Sequence, residues 1–295
     1  SMRKRLREII GHDAYRIVIN TFHGCCNDII RNQPEEFPNI IGSVNITEAD
    51  QIGVLEEVFT DLKLIILTTF GDPFYYLRSA QSAIGKLKQE GISPEVFKTK
   101  IAKYEKDFLA QDDLYSDRKG YEGKLKSKYA SVLKQIEKNK ELALVYETYQ
   151  QKLRAHKYYD FADMIMETVR ALETKADLLL SLQETYQYIL VDEHQDTNNA
   201  QNRVLELLAS FYDNPNLFVV GDEKQAIFRF QGASLENFLY FKQKYPEAKF
   251  IILENNYRST QTILDSAHSL MAGQLGISEK KLQAQTSQPE EKISV

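Results

Sequence analysis

The sequence is poor in cysteine: its 295 residues include only Cys25 and Cys26, which are adjacent. Neighbouring cysteines cannot bridge each other without strain, so the sequence predicts no disulfide framework. No further His or Cys residues lie at ligand spacing, which leaves no basis for a zinc site. We therefore expect reduced thiols in a cytoplasmic protein, with at least one of the two buried in a helix.

Long apolar runs and an excess of positive charge are also missing. No run is long enough to cross a bilayer, and no apolar stretch of signal-peptide type follows the N-terminus. The formal net charge is −5, so bulk charge argues mildly against a nucleic-acid partner. It does not exclude one, because proteins that track DNA can concentrate basic groups in a single groove.

Four short apolar segments predict β-strands: Arg16–Asn20, Tyr188–Val191, Leu217–Val220 and Phe250–Leu253. Helical patterns lie between the last three, and the stretch from about residue 47 to 184 is almost all helical. Continuous apolar strands that alternate with helices are typical of a parallel sheet covered on both faces. We therefore predict an α/β fold in which a parallel sheet is interrupted by a mostly helical insertion.

Two carboxylates, Asp192 and Glu193, follow the second of these strands in the motif DEHQDT (Asp192–Thr197). At the carboxyl end of a strand, one carboxylate can hold Mg²⁺ through water, and its neighbour can orient and deprotonate an attacking water. The alternative interpretation is an acidic strand-to-helix turn in which Asp196 or Thr197 caps the next helix.

A glutamine and two phenylalanines follow the third strand, within Val220–Ala233. Gln225 lies where it can hydrogen-bond a terminal phosphate. Phe228 and Phe230 flank Arg229 and can stack on single-stranded bases, each stack contributing roughly 1–3 kcal/mol. Alternatively, both rings belong to the core.

A Tyr–Arg pair, Tyr257 and Arg258, follows the fourth strand. Such a pair can stack on a purine and reach a phosphate. The alternative is a helix cap at Ser259 beside a surface arginine.

In this order and spacing, the three segments resemble motifs II, III and IV of superfamily 1 helicases of the UvrD/Rep/PcrA type, whose patterns are close to DEFQDT, VGDxxQSIYxFRGA and LxxNYRS. Thr21–Cys25 resembles motif Ib, and Tyr159–Ile165 resembles the LDFDDLL segment ahead of motif II. The resemblance covers nearly the whole chain and is weakest in the insertion. It implies a RecA-like fold of the P-loop NTPase type, with helices on both faces of the sheet.

The resemblance also implies a division of the chain and a set of roles. Residues 1–33 and 143–272 would form the first motor domain, 34–142 the helical inserted subdomain, and 273–295 a solvated tail or the start of a second motor domain. The implied activity is ATP-dependent 3′→5′ translocation on single-stranded DNA with unwinding of duplex DNA, with ATP and Mg²⁺ as cofactors and repair or replication proteins as candidate partners. The implied site residues are Asp192 for Mg²⁺, Glu193 for water activation, Gln225 and Arg258 for the γ-phosphate, Tyr257 for adenine, and Thr21, His23, Phe228, Arg229 and Phe230 for DNA.

The sequence departs from the family pattern in two respects. It contains no phosphate-binding loop of the form G-x-x-x-x-G-K-[ST], and motifs V and VI are absent. His194 stands where the family usually has Phe, and Gln231 where it often has Arg, which puts one polar contact in doubt. We therefore expect a fragment of a helicase that is inactive alone. The alternatives are a non-catalytic DNA- or partner-binding module and part of a RecB/AddA-like helicase–nuclease, although nothing nuclease-like is visible.

Overall fold

Helices dominate the computed structural model, which describes residues 2–111, 113–115, 125–222, 241, 243–271 and 281–286. Most of them begin at a side-chain cap or carry a buried apolar stripe, as amphipathic helices do. In chain order they are α1 Met2–Ile10, α2 Phe22–Asn32, α3 Glu48–Asp61, α4 Leu77–Gln89, α5 Pro94–Leu109, α6 Ala130–Ala155, α7 Phe161–Thr174, α8 Ala176–Thr185, α9 Asn199–Ala209 and α10 Gln261–Met271.

The strands are short and form three separate parallel pairs among the described residues. They are β1 Val44–Asn45 with β2 Tyr158–Tyr159, β3 Ile189–Val191 with β4 Leu217–Val219, and β5 Asn255–Asn256 with β6 Gln283–Ala284. The second pair contains two of the four predicted strands and confirms their parallel arrangement. The protein is thus a mixed α/β fold, but the described part of the chain does not assemble the single sheet that was expected.

The two other predicted strands were wrong. Arg16–Asn20 follows a 3-10 turn at Gly11–Tyr15 and is irregular, and the Arg3 guanidinium donates to the Ile17 carbonyl oxygen (3.0 Å). Phe250–Leu253 is likewise outside any strand, with its apolar side chains exposed. A strand requires a hydrogen-bonding neighbour, and neither segment has a ladder partner within the described ranges, so β propensity alone did not produce one.

The buried apolar side chains form three clusters. One packs α2, α7, α8 and α9 around Cys26, Ile29 and Leu172. A second packs α3, α4 and the C-terminal half of α6, and a third packs α5 against the first half of α6. Cys26 is buried inside α2, which confirms that one of the two cysteines is buried in a helix. Both cysteines are free, and burial raises the pKa of Cys26 to about 12, so this thiol stays protonated.

The two ends of the long helical stretch lie side by side. The β1–β2 pair joins the segment before α3 to the segment after α6, with Val44 opposite Tyr158 and Asn45 opposite Tyr159. The Ile46 amide donates to the Tyr159 carbonyl (2.9 Å), which extends the connection.

Among the described residues, no helix has both the length and the apolar character that crossing a bilayer requires.

Candidate functional site

The carboxyl ends of β3 and β4 are joined by backbone hydrogen bonds. The Val220 amide donates to the Val191 carbonyl (2.8 Å), and the His194 amide donates to the Val220 carbonyl (2.9 Å). Asp192 and Glu193 therefore lie at the carboxyl end of a parallel pair, the edge at which open α/β sheets bind ligands. Both side chains are exposed there, as a metal ligand and a general base require.

Glu193 adopts a left-handed backbone conformation with a φ of 51°. This conformation is uncommon for a residue with a side chain, and it re-aims the glutamate relative to Asp192. Its amide donates to Asp192 Oδ1 (3.0 Å), which closes a tight turn. The strain is therefore located at the residue assigned to water activation.

Gln195 connects the glutamate to the loop after β4. Its side chain is buried; Nε2 donates to Glu193 Oε2 (2.6 Å), and Oε1 accepts from the Asp222 amide (3.1 Å). Gly221 permits this approach, because a Cβ added there would lie 2.9 Å from Gln195 Oε1 and 3.3 Å from its amide nitrogen. One glutamine thus fixes the orientation of the glutamate and the register of the two loops.

His194 lies beneath this turn and is 2% exposed. Its Nε2 lies 3.0 Å from Asn202 Oδ1, which also accepts from the Thr197 hydroxyl (3.1 Å). With that oxygen as an acceptor, the ring proton is assigned to Nε2. Nδ1 then has no hydrogen-bond partner among the described residues. Burial lowers the pKa of His194, so the ring is neutral at neutral pH.

We expect acid to destabilise the parent protein more than a His194→Phe variant. Because the folded-state pKa of His194 lies below the ordinary value of 6.5, the unfolded chain binds a proton that the folded chain does not as pH falls below that value. The free energy of unfolding therefore decreases as pH falls from about 6.5 through the folded-state pKa. The measurement is the thermal midpoint of both proteins between about pH 7.5 and 5.5. The exposed His12→Gln variant should follow the parent, and an equal drop in His194→Phe would contradict the assignment.

The Asp192–Glu193 turn fits a magnesium ion that is bound mainly by other groups. Within the described ranges, no cluster of three or more His, Cys, Asp or Glu side chains is arranged for a metal. Mg²⁺ usually keeps several waters and takes one or two protein carboxylates together with phosphate oxygens. Asp192, exposed at a strand end, can supply one such carboxylate, so the residues present fit a phosphate-bound Mg²⁺ rather than a protein-only site.

The residues predicted to touch the DNA backbone lie at the start of α2. Thr21 caps this helix, because its hydroxyl accepts from the Gly24 amide (3.1 Å). The His23 ring stacks on the exposed ring of Phe161, with 3.7 Å between centroids and 15° between planes. Burial lowers the pKa of His23, although a hydrogen bond with the Phe161 backbone acts in the opposite direction. The lowered pKa favours a neutral ring.

Tyr257 and Arg258 lie on the turn between β5 and α10. The Asn256 side-chain oxygen accepts from the amides of Arg258 (2.9 Å) and Ser259 (2.8 Å), which holds the turn. Both predicted side chains are exposed. No hydrogen bond or ion pair in the described part of the chain joins either of them to the Asp192–Glu193 turn. The remaining predicted site residues lie outside the described residues: Gln225, Phe228, Arg229 and Phe230.

Three residues of the site were missed by sequence reasoning: Gln195, Asn202 and Asp222. Gln195 stood inside the recognised DEHQDT motif, and its spacing of two from Glu193 was an available signal. Asn202 carried no such signal, because its partner His194 is eight residues away across a turn and the start of a helix.

Comparison with known proteins identifies the family. The sequence model described as UvrD/REP helicase N-terminal domain matches residues 1–246. The proteins named ATP-dependent DNA helicase UvrD1 from Mycobacterium bovis and Mycobacterium tuberculosis are each 33% identical over 287 residues, which cover 95% of this chain and 33% of theirs. The ATP-dependent DNA helicase PcrA of Staphylococcus aureus is 33% identical over 277 residues, 92% of this chain and 31% of its own. The chain thus spans about a third of the length of these relatives. Since the matched residues include the Asp192–Glu193 turn and both strands beside it, the chain belongs to the UvrD/REP helicase N-terminal domain family.

Proposed function

We propose that this chain is part of an ATP-dependent DNA helicase that moves 3′→5′ along single-stranded DNA and separates duplex DNA. The observation that carries the proposal is the Gln195 bridge, which joins the Glu193 carboxylate to the loop after β4. Such a bridge would make the carboxylate and the loop shift together, so that a ligand with different affinities for two positions of the pair would move both. The similarity to UvrD1 and PcrA, both named as ATP-dependent DNA helicases, supports the same activity.

Each residue of the Asp192–Glu193 turn has a defined task in this proposal. Asp192 would hold Mg²⁺ through its water shell, and the ion, when bound, would supply positive charge to the phosphate oxygens. Glu193 orients a water and takes its proton, and Gln195 holds the carboxylate oriented for that transfer. Gln225 and Arg258 are assigned to the γ-phosphate, and Tyr257 to the adenine ring.

DNA contact is assigned to two parts of the chain. The N-terminus of α2, with Thr21 and His23, faces phosphates, and the Phe228–Phe230 segment holds bases by stacking. The half-buried His23 ring stacks on the exposed ring of Phe161, which supports a role for this pair in contacting DNA beside the phosphates. Repair or replication proteins remain candidate partners.

We also retain the proposed division into a RecA-like motor domain, at 1–33 and 143–272, and an inserted helical subdomain, at 34–142. The segregation of buried side chains supports it, since α2, α7, α8 and α9 share one core and α3, α4 and α6 share another. The second core includes Val145 to Leu153 of α6, so the packing boundary extends past residue 142 into that helix.

We expect the 295-residue chain to release no phosphate above background when incubated with ATP, Mg²⁺ and single-stranded DNA. Phosphoryl transfer depends on positioning and charge stabilisation, and the sequence contains neither a phosphate-binding loop nor motifs V and VI. The measurement is phosphate release with and without DNA. DNA-stimulated release that disappears in Glu193→Gln would contradict this expectation.

The test of the whole function uses the full-length protein. Duplexes with a 3′ tail should be unwound in an ATP-dependent reaction, whereas duplexes with a 5′ tail or blunt ends should not. Unwinding from the 5′ tail would overturn the direction. DNA binding without hydrolysis would instead favour the non-catalytic module, and DNA cleavage would favour a RecB/AddA-like helicase–nuclease.

A further inference from the structure

A lysine is buried where three helices meet. Lys88, in the last turn of α4, is 1% exposed, and its ammonium lies 2.5 Å from Asp160 Oδ2 and 2.7 Å from Asp163 Oδ1. Two residues of α6 complete the surroundings: the Tyr149 hydroxyl donates to Asp160 (3.2 Å), and Gln150 Nε2 donates to Asp163 (3.0 Å). The Lys88 cluster, defined as Lys88, Asp160 and Asp163, therefore ties α4 and α6 to the first turn of α7.

Both carboxylates also cap α7. Asp160 accepts from the Asp163 amide, and Asp163 accepts from the Asp160 amide, in a reciprocal capping arrangement. Burial alone would lower the pKa of Lys88, but the two carboxylates hold it above its ordinary value. Burial and the adjacent Asp160 charge raise the pKa of Asp163. A buried ion cluster contributes little net stability compared with apolar side chains of similar size, so geometric specificity is the better account of its presence.

The end of α4 that carries Lys88 also touches the start of α9. The Glu90 carboxylate accepts from the Asn199 side chain, and a Cβ added to Gly91 would lie 3.8 Å from the Ala200 Cα. The same first turn of α9 also holds the DEHQDT turn, because Asn202 contacts both His194 and Thr197. The first turn of α9 is thus bonded to the candidate hydrolytic turn and to the end of α4.

We propose that the Lys88 cluster is a positioning element that holds the end of α4 on α7, beside the contact of Glu90 with α9, so that movement of the DEHQDT turn is transmitted to the inserted helices. The inference rests on the proposed helicase function. α4 moves as a rigid helix in this proposal. Its last turn is held at α7 and α9, and its remaining turns pack in the core of the insertion. Lys88 contacts neither nucleotide nor DNA in this role and acts only through the helices that it joins.

The test uses the full-length protein and the double variant Lys88→Met/Asp160→Asn. This pair removes the cation and its nearest anion together, and asparagine remains a good helix cap. Asp163 is then the one buried carboxylate of the cluster, and it keeps its hydrogen bonds from Gln150 and from the amide of residue 160. The readout is the number of base pairs unwound per ATP hydrolysed. We expect this ratio to fall by roughly 2- to 30-fold, the range for mutations along a coupling network, while DNA-stimulated hydrolysis persists. Lys86→Met, an exposed lysine in the same turn of α4, is the matched control.

The ratio separates coupling from stability, because a smaller folded fraction lowers hydrolysis and unwinding in parallel. A parent-like ratio in the double variant would therefore overturn the proposal. If that variant does not fold, the exposed hydrogen bond between Asn199 and Glu90 provides a second test. Asn199→Ala removes this bond without disturbing a core, and it should also lower the number of base pairs unwound per ATP hydrolysed. A parent-like ratio there would equally overturn the proposal. Failure of the parent to hydrolyse ATP or unwind DNA would instead refute the helicase function itself.

Discussion

The Glu193→Gln variant of the full-length protein should lose DNA-stimulated ATP hydrolysis by about 10²- to 10⁴-fold, the contribution of a positioned general base. Glutamine preserves the size of the side chain and can still accept the hydrogen bond from Gln195, but it cannot take a proton from water. Nucleotide binding should change little, because the charge that holds phosphate and metal lies elsewhere. The measurements are steady-state phosphate release and the affinity for a fluorescent ATP analogue.

Glu184→Gln provides the matched control for that variant. Glu184 is exposed on α8, close to β3 in sequence, and its side chain makes no hydrogen bond or ion pair within the described ranges. Its substitution should leave hydrolysis and binding at parent values. Near-normal turnover in Glu193→Gln would show that Glu193 is not the general base, and Asp192 would then have to be tested as the base.

The single variant Lys88→Met should destabilise the region around α4 and α7 by about 3–5 kcal/mol, because it leaves two buried carboxylates, Asp160 and Asp163, without their cation. Lys88→Met/Asp160→Asn should recover part of that loss, since one of the two uncompensated charges, and its repulsion of the other, is removed. The effects of the two substitutions are therefore expected to be strongly non-additive. Hydrogen–deuterium exchange of amides in α4 and α7 measures the local free energy of opening without requiring a two-state transition of a long protein.

The surface substitution Lys86→Met should change the same exchange rates by no more than about 0.5 kcal/mol. Equal losses in Lys88→Met and in the double variant would indicate that lost packing or the Asp163 carboxylate, rather than the Asp160 charge, causes the destabilisation. The predicted role of Asp160 as the charge partner would then be wrong.

Local patterns in the sequence were sufficient for most helices and for β3 and β4. The helices α3 to α8 lie within the stretch from about residue 47 to 184 that was predicted to be almost all helical. Ile189–Val191 and Leu217–Val219 pair because each finds the other as a neighbour. Arg16–Asn20 and Phe250–Leu253 have similar composition but no ladder partner among the described residues, and composition cannot report whether a neighbour is present.

The sequence identified only those site residues that stand at fixed spacing in a recognisable motif. Asp192 and Glu193 were found by their motif, whereas the Lys88 cluster was not. A signal did exist: Leu77, Ala80 and Ile84 mark the buried face of α4, and Lys88 continues that face. A lysine at such a position implies a buried partner, but Asp160 lies 72 residues later in the chain. Identifying Asp160 as the partner of Lys88 required the three-dimensional packing of α4 on α7.

The pairing of β1 with β2 bears on how the inserted helices can vary in length. Because the two strands hold both ends of the insertion side by side, the segment between them is a closed loop in the folded protein. The entropy lost on closing a loop grows only with the logarithm of its length, so that each doubling costs about 0.6 kcal/mol. Added or deleted turns within the insertion should therefore be tolerated if Val44–Asn45 and Tyr158–Tyr159 stay paired. Cutting the chain within the insertion would remove the tether and leave two short strands to find each other as separate molecules.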